Sequence, residues 1–549
     1  MKILLVAAAI VGATTAQAQE PDCSTYRSEV TLGSLSGERI DSVIVQTARP
    51  NLGRIGHAIA RLHVKTQQGV IRRELLFAPG DTVDTLQVAE SLRRLRALAF
   101  LEYAEIQGRK CVTAAGHSLA LTVVTRDSWT TRPVVRGSSS SRVGLTERNL
   151  LGSGRTASID VVSRNGSIGV GLTTIDGFGF GTGVRARGQY QRYSDGFLRG
   201  LFLSRRQATN SDPWRASLEV FDQQYEPRTP RSDNFERSSA DFIAGIRVTP
   251  RGGPHAVYLL GGFEAEHASL DAAPSADLFG PMKVERHFIG PQIGAAIVST
   301  NYDTLTWLLA GGSVVDVPRT VEGEVVVGIG NGRVSAWDTA GDVDVARSNY
   351  MTHYDGWLGR EWLPDRTSRV VSDLWASGYS RSGEWHSRRV RATITAEHAV
   401  SHGILRLSGA AEQLNDPDPD VRALAIYDRA LAFVPKRVRF SESALTISLE
   451  RTRHLRSAGG GYELDGSLYG AFSKRWDPSG AVTSSEDYSV GVAGIGLSLS
   501  PRRSGRGTLR LDYGVPIVGS VGVQRRPGFS ITLTPWLESG RHRDTSGSF

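Results

Sequence analysis

From about Arg142 onward, apolar and polar residues alternate with a period of two, segment after segment, for about 400 residues. Trp214, Ala216, Leu218 and Val220 alternate with Arg215, Ser217 and Glu219. Leu445, Ile447 and Leu449 alternate with Thr446, Ser448 and Glu450, and Tyr462, Leu464, Leu468 and Phe472 with Glu463, Asp465, Ser467 and Ser473. The same holds for Leu509, Leu511 and Tyr513 against Arg510 and Asp512, and for Phe529, Ile531 and Leu533 against Ser530, Thr532 and Thr534. Successive side chains of a strand point to opposite faces, so this is a strand signature. Gly, Asn, Asp and Ser punctuate the segments as turns. A soluble sandwich alternates too, with its polar face in water. Here strands of about ten residues recur with no helices to cover a sheet, which suits a closed antiparallel barrel with lipid outside and a wet lumen. The pattern predicts about 16 strands. Val490 and Val492 fall out of phase with Ile495, Leu497 and Leu499, which predicts a bulge or kink near Gly494. Trp214, Trp385, Trp476 and Trp536 lie near segment ends, as interfacial girdles would place them.

Composition narrows the class. With 40% hydrophobic and 22% charged residues, the chain is neither disordered nor a helical membrane protein. The net charge is +8, but the arginines are spread along the chain and form no basic block, so no nucleic-acid partner is expected. Lys2, an apolar run from Ile3 to Val11 and Ala16-Gln17-Ala18 read as an export signal over residues 1–18. The only two cysteines, Cys23 and Cys111, are expected to pair in an oxidising compartment. No nearby histidine joins them, so a closed zinc site is not expected.

Residues from about Glu20 to Arg126 carry a different period. Ile40, Val43 and Val45 mark a strand, and Val70 to Phe77 a short helix stopped by Pro79-Gly80. Asp84 caps a second helix, with Gln87 completing a capping box. Val88, Leu92, Leu95 and Ala99 share one face of it, while Arg93, Arg94 and Arg96 face water. Strands around Tyr103–Gln107 and Leu119–Val124 complete a β-α-α-β-β order.

This domain resembles a polypeptide-transport-associated (POTRA) domain, through Leu75-Leu76-Phe77-Ala78-Pro79-Gly80-Asp81 followed by Leu92, Leu95, Leu98 and Phe100-Leu101-Glu102. Val143-Gly144-Leu145-Thr146-Glu147-Arg148-Asn149-Leu150-Leu151-Gly152-Ser153-Gly154 is similar to a first barrel strand and its "N-L-x-G-x-G" turn. Leu509 to Pro516 and Phe529 to Trp536 resemble the last two strands. The family is the outer-membrane assembly superfamily of BamA, TamA and the two-partner secretion transporters. The resemblance implies an all-β transmembrane antiparallel barrel of about 16 strands with one small N-terminal α/β POTRA domain. The boundaries expected are a signal at 1–18, a periplasmic domain at 19–130, a linker at 131–141, a barrel at 142–537 and a polar tail at 538–549.

The implied activity is insertion or translocation of polypeptides at the outer membrane, by strand addition at a weak barrel seam and at the POTRA sheet edge. Seam candidates are Val143, Gly144, Leu145, Phe529, Ile531, Leu533 and Trp536. The implied partners are the outer-membrane bilayer and unfolded or secreted polypeptide clients, with periplasmic chaperones or accessory lipoproteins beside them. Members usually carry a Val-Arg-Gly-Phe/Tyr lumen loop whose Arg meets an Asp on a later strand. Here the nearest candidates for the Arg are Arg422 and Arg439, in Val421-Arg422-Ala423-Leu424 and Val438-Arg439-Phe440. Ala471-Phe472-Ser473-Lys474-Arg475-Trp476 carries no acid, which leaves Asp465 or Glu463 as partner. A passive outer-membrane pore with the POTRA domain as docking module is the alternative.

Other chemistry is weaker. Gly181-Thr182-Gly183-Val184-Arg185-Ala186 matches G-x-G-x-x-A by letters but is flanked by alternating strands. His386, His398 and His402 lie near Ser380, Ser382 and Ser387, a Ser-His grouping that chance also supplies in Ser-rich strands. Asp416-Pro417-Asp418-Pro419-Asp420 offers oxygen ligands for a hard cation, or a solvated loop. The chain is not expected to be an enzyme or to carry a cofactor or metal.

Overall fold

In a computed structural model, residues 23–26, 33–50, 63–98, 100–113, 116–136, 140–164, 167–176, 184–193, 196–205, 212–225, 234–250, 253, 255–272, 282–299, 301–305, 315–318, 321–337, 343–346, 350–381, 384–415, 443–458, 462–476, 488–501, 508–519 and 527–534 are described. The signal segment, the tail, Trp536, Arg422, Arg439 and the Asp416–Asp420 run lie outside them.

The N-terminal part is a four-stranded sheet backed by two helices. Its elements are β1 (Cys23–Tyr26), β2 (Ser42–Ala48), α1 (Gln68–Arg72), α2 (Thr85–Ala97), β3 (Leu101–Thr113) and β4 (Gly116–Asp127), in sheet order β1-β3-β4-β2. β2 runs parallel to β4, and the remaining pairings are antiparallel. Val88, Leu92 and Leu95 of α2 pack with Ile71, Ile106, Leu121 and Val123 in the core. α1 is shorter than the apolar run to Phe77 predicts. Asp84 caps α2 by accepting from the Leu86 N–H at 2.8 Å. Gln87 does not close the predicted box; its carbonyl accepts from Ser91 Oγ, whose oxygen in turn takes the Leu76 N–H.

The rest of the chain is one ladder of antiparallel strands, β5 (Thr131–Arg136), β6 (Ser140–Glu147), β7 (Arg155–Arg164), β8 (Ser167–Asp176), β9 (Val184–Tyr193), β10 (Gly196–Arg205), β11 (Trp214–Tyr225), β12 (Asn234–Arg247), β13 (His255–Ala272) and β14 (Met282–Ser299). After a small hairpin, β15 (Tyr302–Leu305) and β16 (Val315–Pro318), it continues through β17 (Val321–Trp337), β18 (Val343–Ala346), β19 (Met351–Asp365), β20 (Ser368–Arg381), β21 (Glu384–Val400) and β22 (Gly403–Asn415). It ends with β23 (Ser443–Ala458), β24 (Tyr462–Trp476), β25 (Tyr488–Pro501), β26 (Thr508–Gly519) and β27 (Gly528–Thr534). β18 and β19 both pair along the same side of β17, and β27 returns to β5, so the pairings form a ring.

Among the described residues this ring has twenty strand positions, counting β18 with β19, against the 16 or so expected. The undercount has local causes. β5 carries Pro133, which demotes a strand signal, and β9 (VRARGQYQRY) has too few apolar residues to alternate visibly. The predicted linker at 131–141 is therefore largely strand. Val490 and Val492 need no bulge near Gly494, because they point into the lumen and are buried, while Ile495 and Leu497 face outward. The register shift lies beside Gly491/Val492. Gly494 instead lets the ring of Tyr469, directly opposite, lie across the backbone: a Cβ there would stand 2.4 Å from that ring.

Polarity is inverted relative to a soluble protein. On β13, Leu259 is 57% exposed on the outer face, while Glu264 and Glu266 are buried on the inner one. On β7, Ile159 and Val161 face out and Asp160 faces in. Ile293, Val325, Ile394, Leu449 and Leu497 extend the outer apolar band around the ring. Among the described residues no helix is long and apolar enough to cross a membrane; the strands form the apolar surface. Ile293→Arg is predicted to lower the folding free energy in lipid vesicles by about 2–4 kcal/mol, with Ile293→Ala costing far less. Denaturant titration in vesicles measures this, and an unchanged midpoint for the Arg variant would contradict a lipid-facing band.

Candidate functional site

Three features of the ring can do chemistry or recognition: its closure, its inner wall and the joint to the N-terminal domain. At the closure, β27 pairs with β26 along its whole length, from Gly514↔Gly528 to Thr508↔Thr534. On its other side, among the described residues, it meets β5 through one register pair, Thr532↔Arg136. Phe529, Ile531 and Leu533 sit on β27. Val143, Gly144 and Leu145 are not at the seam: β5 lies between, with Val135 opposite Val143 and Pro133 opposite Leu145. Val143 and Leu145 are exposed on the outer face, and Gly144 faces Asp160 on the inner one. The displacement has a plain cause, since the Pro-containing β5 is too short to alternate and its neighbour looks like the first strand.

The inner wall carries a continuous line of ion pairs. Arg369 on β20 pairs with Glu361 on β19 and, at 3.0 Å, with Glu397 on β21. Arg406 on β22 bridges Glu397 at 2.7 Å and Glu450 on β23 at 3.8 Å. Arg510 on β26 reaches the same Glu450 at 2.7 Å, Asp512 at 2.8 Å and Ser467 Oγ on β24 at 2.7 Å. A second cluster lies on β12–β14 and β19–β20. Glu266 accepts from Tyr379 and pairs with Arg286 at 2.8 Å and Arg237 at 3.2 Å. Glu264 meets His353 at 2.6 Å and Gln292 at 3.3 Å. Buried carboxylates are tolerated only when so compensated. Asp465 and Glu463, expected as partners of a lumen loop, face His454 on β23 at 3.1 and 3.7 Å. Arg422 and Arg439 lie outside the described residues, so no such pairing is described.

The joint centres on Asp127, the last residue of β4, which is wholly buried. It accepts from the Thr66 N–H at 2.8 Å and Thr66 Oγ1 at 2.6 Å, and meets His63 Nε2 at 3.0 Å. Thr66 Oγ1 then takes a hydrogen bond from Asn149 Nδ2 at 2.7 Å. Asn149 opens the Asn-Leu-Leu-Gly-Ser-Gly turn between β6 and β7, and its Oδ1 accepts from the Gly154 N–H at 2.7 Å. Gly152, at φ +73°, lies so close that a Cβ would stand 2.2 Å from the Lys65 carbonyl oxygen, while its own carbonyl accepts from the Gln67 N–H at 2.9 Å. The turn is therefore a docking surface for the N-terminal domain. Arg93 of α2, over the Tyr302 ring of β15 at 4.6 Å, supplies a second contact.

The two free edges of the domain's sheet are treated differently. Gln68 and Arg72 of α1 donate to the carbonyls of Val45 and Val43, each at 3.2 Å, and so occupy the outer side of β2. β1 covers β3 only from Gly108 to Cys111; among the described residues, Leu101 to Gln107 has no strand on that side. Cys23 lies directly opposite Cys111 in this register.

Sequence reasoning missed Asp127, Thr66 and the pairing of the lumen acids because each of these contacts joins residues on separate segments or strands. Inward-facing Glu on otherwise apolar strands was the available signal. The Gly181–Ala186 motif runs into strand β9, not a helix, so it lacks the geometry of a dinucleotide site. His398 does meet a serine, Ser368, at 2.9 Å. Asp365 accepts from Ser368 itself at 3.1 Å, so the acid does not orient the imidazole as a triad requires.

No protein-family model and no curated protein matches the sequence. Among solved structures, the chain is similar to BamA from Haemophilus ducreyi lacking POTRA domains 1–3, at 12% identity and TM-score 0.39, covering 94% of this chain and 90% of that one. It is similar to CdiB from Escherichia coli at 9% identity and TM-score 0.40, covering 93% and 79%. CdiB from Acinetobacter baumannii matches at 11% identity and TM-score 0.34, covering 93% and 78%. Any functional reading rests on the seam, wall and joint themselves.

Asp127→Ala would leave three buried donors without their acceptor, at a cost above about 2 kcal/mol. The helix circular-dichroism transition of the N-terminal domain is expected to fall by about 8–16 °C, and by roughly half as much in Asp127→Asn. An unchanged transition would show that the joint is not organised by this carboxylate.

Proposed function

We propose that this protein is an outer-membrane β-barrel that inserts or translocates polypeptides by offering backbone edges to them. The observation that carries the reading is the closure of a long ladder, among the described residues, through one register pair, Thr532↔Arg136. Elsewhere in the ring, neighbouring strands pair along extended stretches, so separation there would expose many N–H and C=O groups to hydrocarbon. At β5/β27, where one pair is described, that cost is small. A client strand adding to β27 or β5 gains backbone hydrogen bonds and loses little pairing in exchange. On this reading the N-terminal domain is a POTRA module in the periplasm, held over the barrel mouth by the Asn149–Gly154 turn, and the part of β3 that no described strand covers receives clients first. Its partners are the bilayer and unfolded or secreted polypeptides, with accessory lipoproteins and chaperones as further candidates. No catalytic step or cofactor is assigned to it. The paired ions on the inner wall also suit a water-filled pore, which is the competing reading.

Reconstitution in liposomes separates the two. An unfolded small barrel protein is expected to fold faster there than in empty liposomes, with little steady current in a planar bilayer. Antiparallel partners stand about 4.5–5.5 Å apart at Cα, within disulfide range. The Arg136→Cys/Thr532→Cys variant should therefore cross-link, lose the acceleration and regain it on reduction. Undiminished acceleration by the cross-linked form would exclude the seam, and a stable open current without acceleration would make the protein a pore.

The same spacing supports a bridge between Cys23 and Cys111, which would fasten β1 to the edge of β3. Non-reducing mass spectrometry of exported protein is expected to find that single bridge. Two free thiols would remove it.

A further inference from the structure

We propose that His267, His287 and Glu285 form a binding site for a transition-metal ion of the Zn2+ class on the outer face of the barrel, at the rim of its apolar band. The two histidines are direct cross-strand partners on β13 and β14. Their Nδ1 atoms lie 3.1 Å apart, with the rings stacked at 4.1 Å between centroids and tilted by 29°. Glu285, two residues before His287 and so on the same face, brings a carboxylate oxygen to 3.4 Å from His287 Nε2. One donor atom from each of the three falls within 4.8 Å of the other two.

Zn–N distances of about 2.0–2.1 Å set adjacent nitrogens on one ion about 3–3.4 Å apart. The imidazole pair already has that separation; Glu285 lies beside the other nitrogen of His287, so binding turns the side chains to bring one donor from each onto the ion. Two imidazoles and one carboxylate select borderline ions such as Zn2+, Ni2+ or Cu2+ over Ca2+ or Mg2+, which take oxygen donors. His287 is exposed and the other two are half-buried, which leaves positions on the ion open to water or an outside ligand.

The location gives the site meaning. On β13 the outward residues run Leu259, Phe263, then His267; on β14, from the far end, Ile293, Ile289, then His287 and Glu285; on β17, Val325, Ile329, then Arg333. The apolar band thus stops one step before the three donors, on the side of the ring away from the docked N-terminal domain. An ion there would stand at the level of the outer headgroups. Arg333, opposite His287 on β17, is exposed and is the nearest opposing charge in register.

A second group, His454, Glu463 and Asp465, sits inside the lumen and serves as a control. The test titrates Zn2+ into full-length protein in detergent micelles, using calorimetry and a competing metal indicator, with heat-modifiable gel mobility confirming a folded barrel. The wild type should bind one Zn2+ that His454→Ala still binds. His267→Ala and His287→Ala should each weaken that ion at least tenfold, Glu285→Gln should weaken it less, and Arg333→Gln should tighten it about twofold. Uptake that survives both histidine changes, or no uptake by folded wild type, would overturn the proposal. In either case the histidines form a metal-free imidazole pair.

Discussion

A peptide N–H or C=O facing hydrocarbon has no water to fall back on, so a strand in a bilayer must be paired on both sides. The ladder from β5 to β27 is a solution to that constraint: hairpin follows hairpin, and each strand's backbone is satisfied by its neighbours. A ring of this kind has one junction that no hairpin enforces, the one between its two ends. Here, among the described residues, that junction is the pair Thr532 and Arg136. The described pairing at the other junctions is longer, which sets this one apart; on the proposed function it is where a client strand adds.

The same constraint explains the inverted polarity. With the backbone closed, the outer face is free to be apolar and the inner face becomes the place for charge. The Arg369–Glu397–Arg406–Glu450–Arg510 line shows how that charge is carried, each carboxylate held between two guanidinium groups from other strands of the wall. Such pairs contribute little net stability but prevent an uncompensated charge from being buried. The Asp127 joint follows a similar logic at the mouth. One buried carboxylate satisfies donors of the 63–66 segment, and Thr66 hands the network on to the turn that begins the barrel's second hairpin.

Much of this was legible in the sequence, and the limits are physical. The period of two fixes which face a residue occupies, so the outer positions of Leu445, Ile447 and Leu449 and the inner position of Glu450 could be read directly. Strand number could not, because β5 and β9 lack the apolar contrast on which the period depends. The seam could be placed at the C-terminal side on β27, yet Pro133 hid the strand that meets it. Register-dependent features were out of reach. Nothing local in the sequence says that His267 faces His287, that Glu463 faces His454, or that Gly152 must admit the Lys65 carbonyl.

The central claim is that the β5/β27 junction opens while the rest of the ring stays paired. Amide hydrogen exchange of the protein in lipid nanodiscs measures this strand by strand. The account predicts exchange in Thr131–Arg136 and Gly528–Thr534 at least about a hundredfold faster than in the paired centres of β13 and β14, since a junction for which one pair is described opens at little cost. Equal protection in all four strands would mean that the ring is closed as firmly at its ends as elsewhere, and would contradict it.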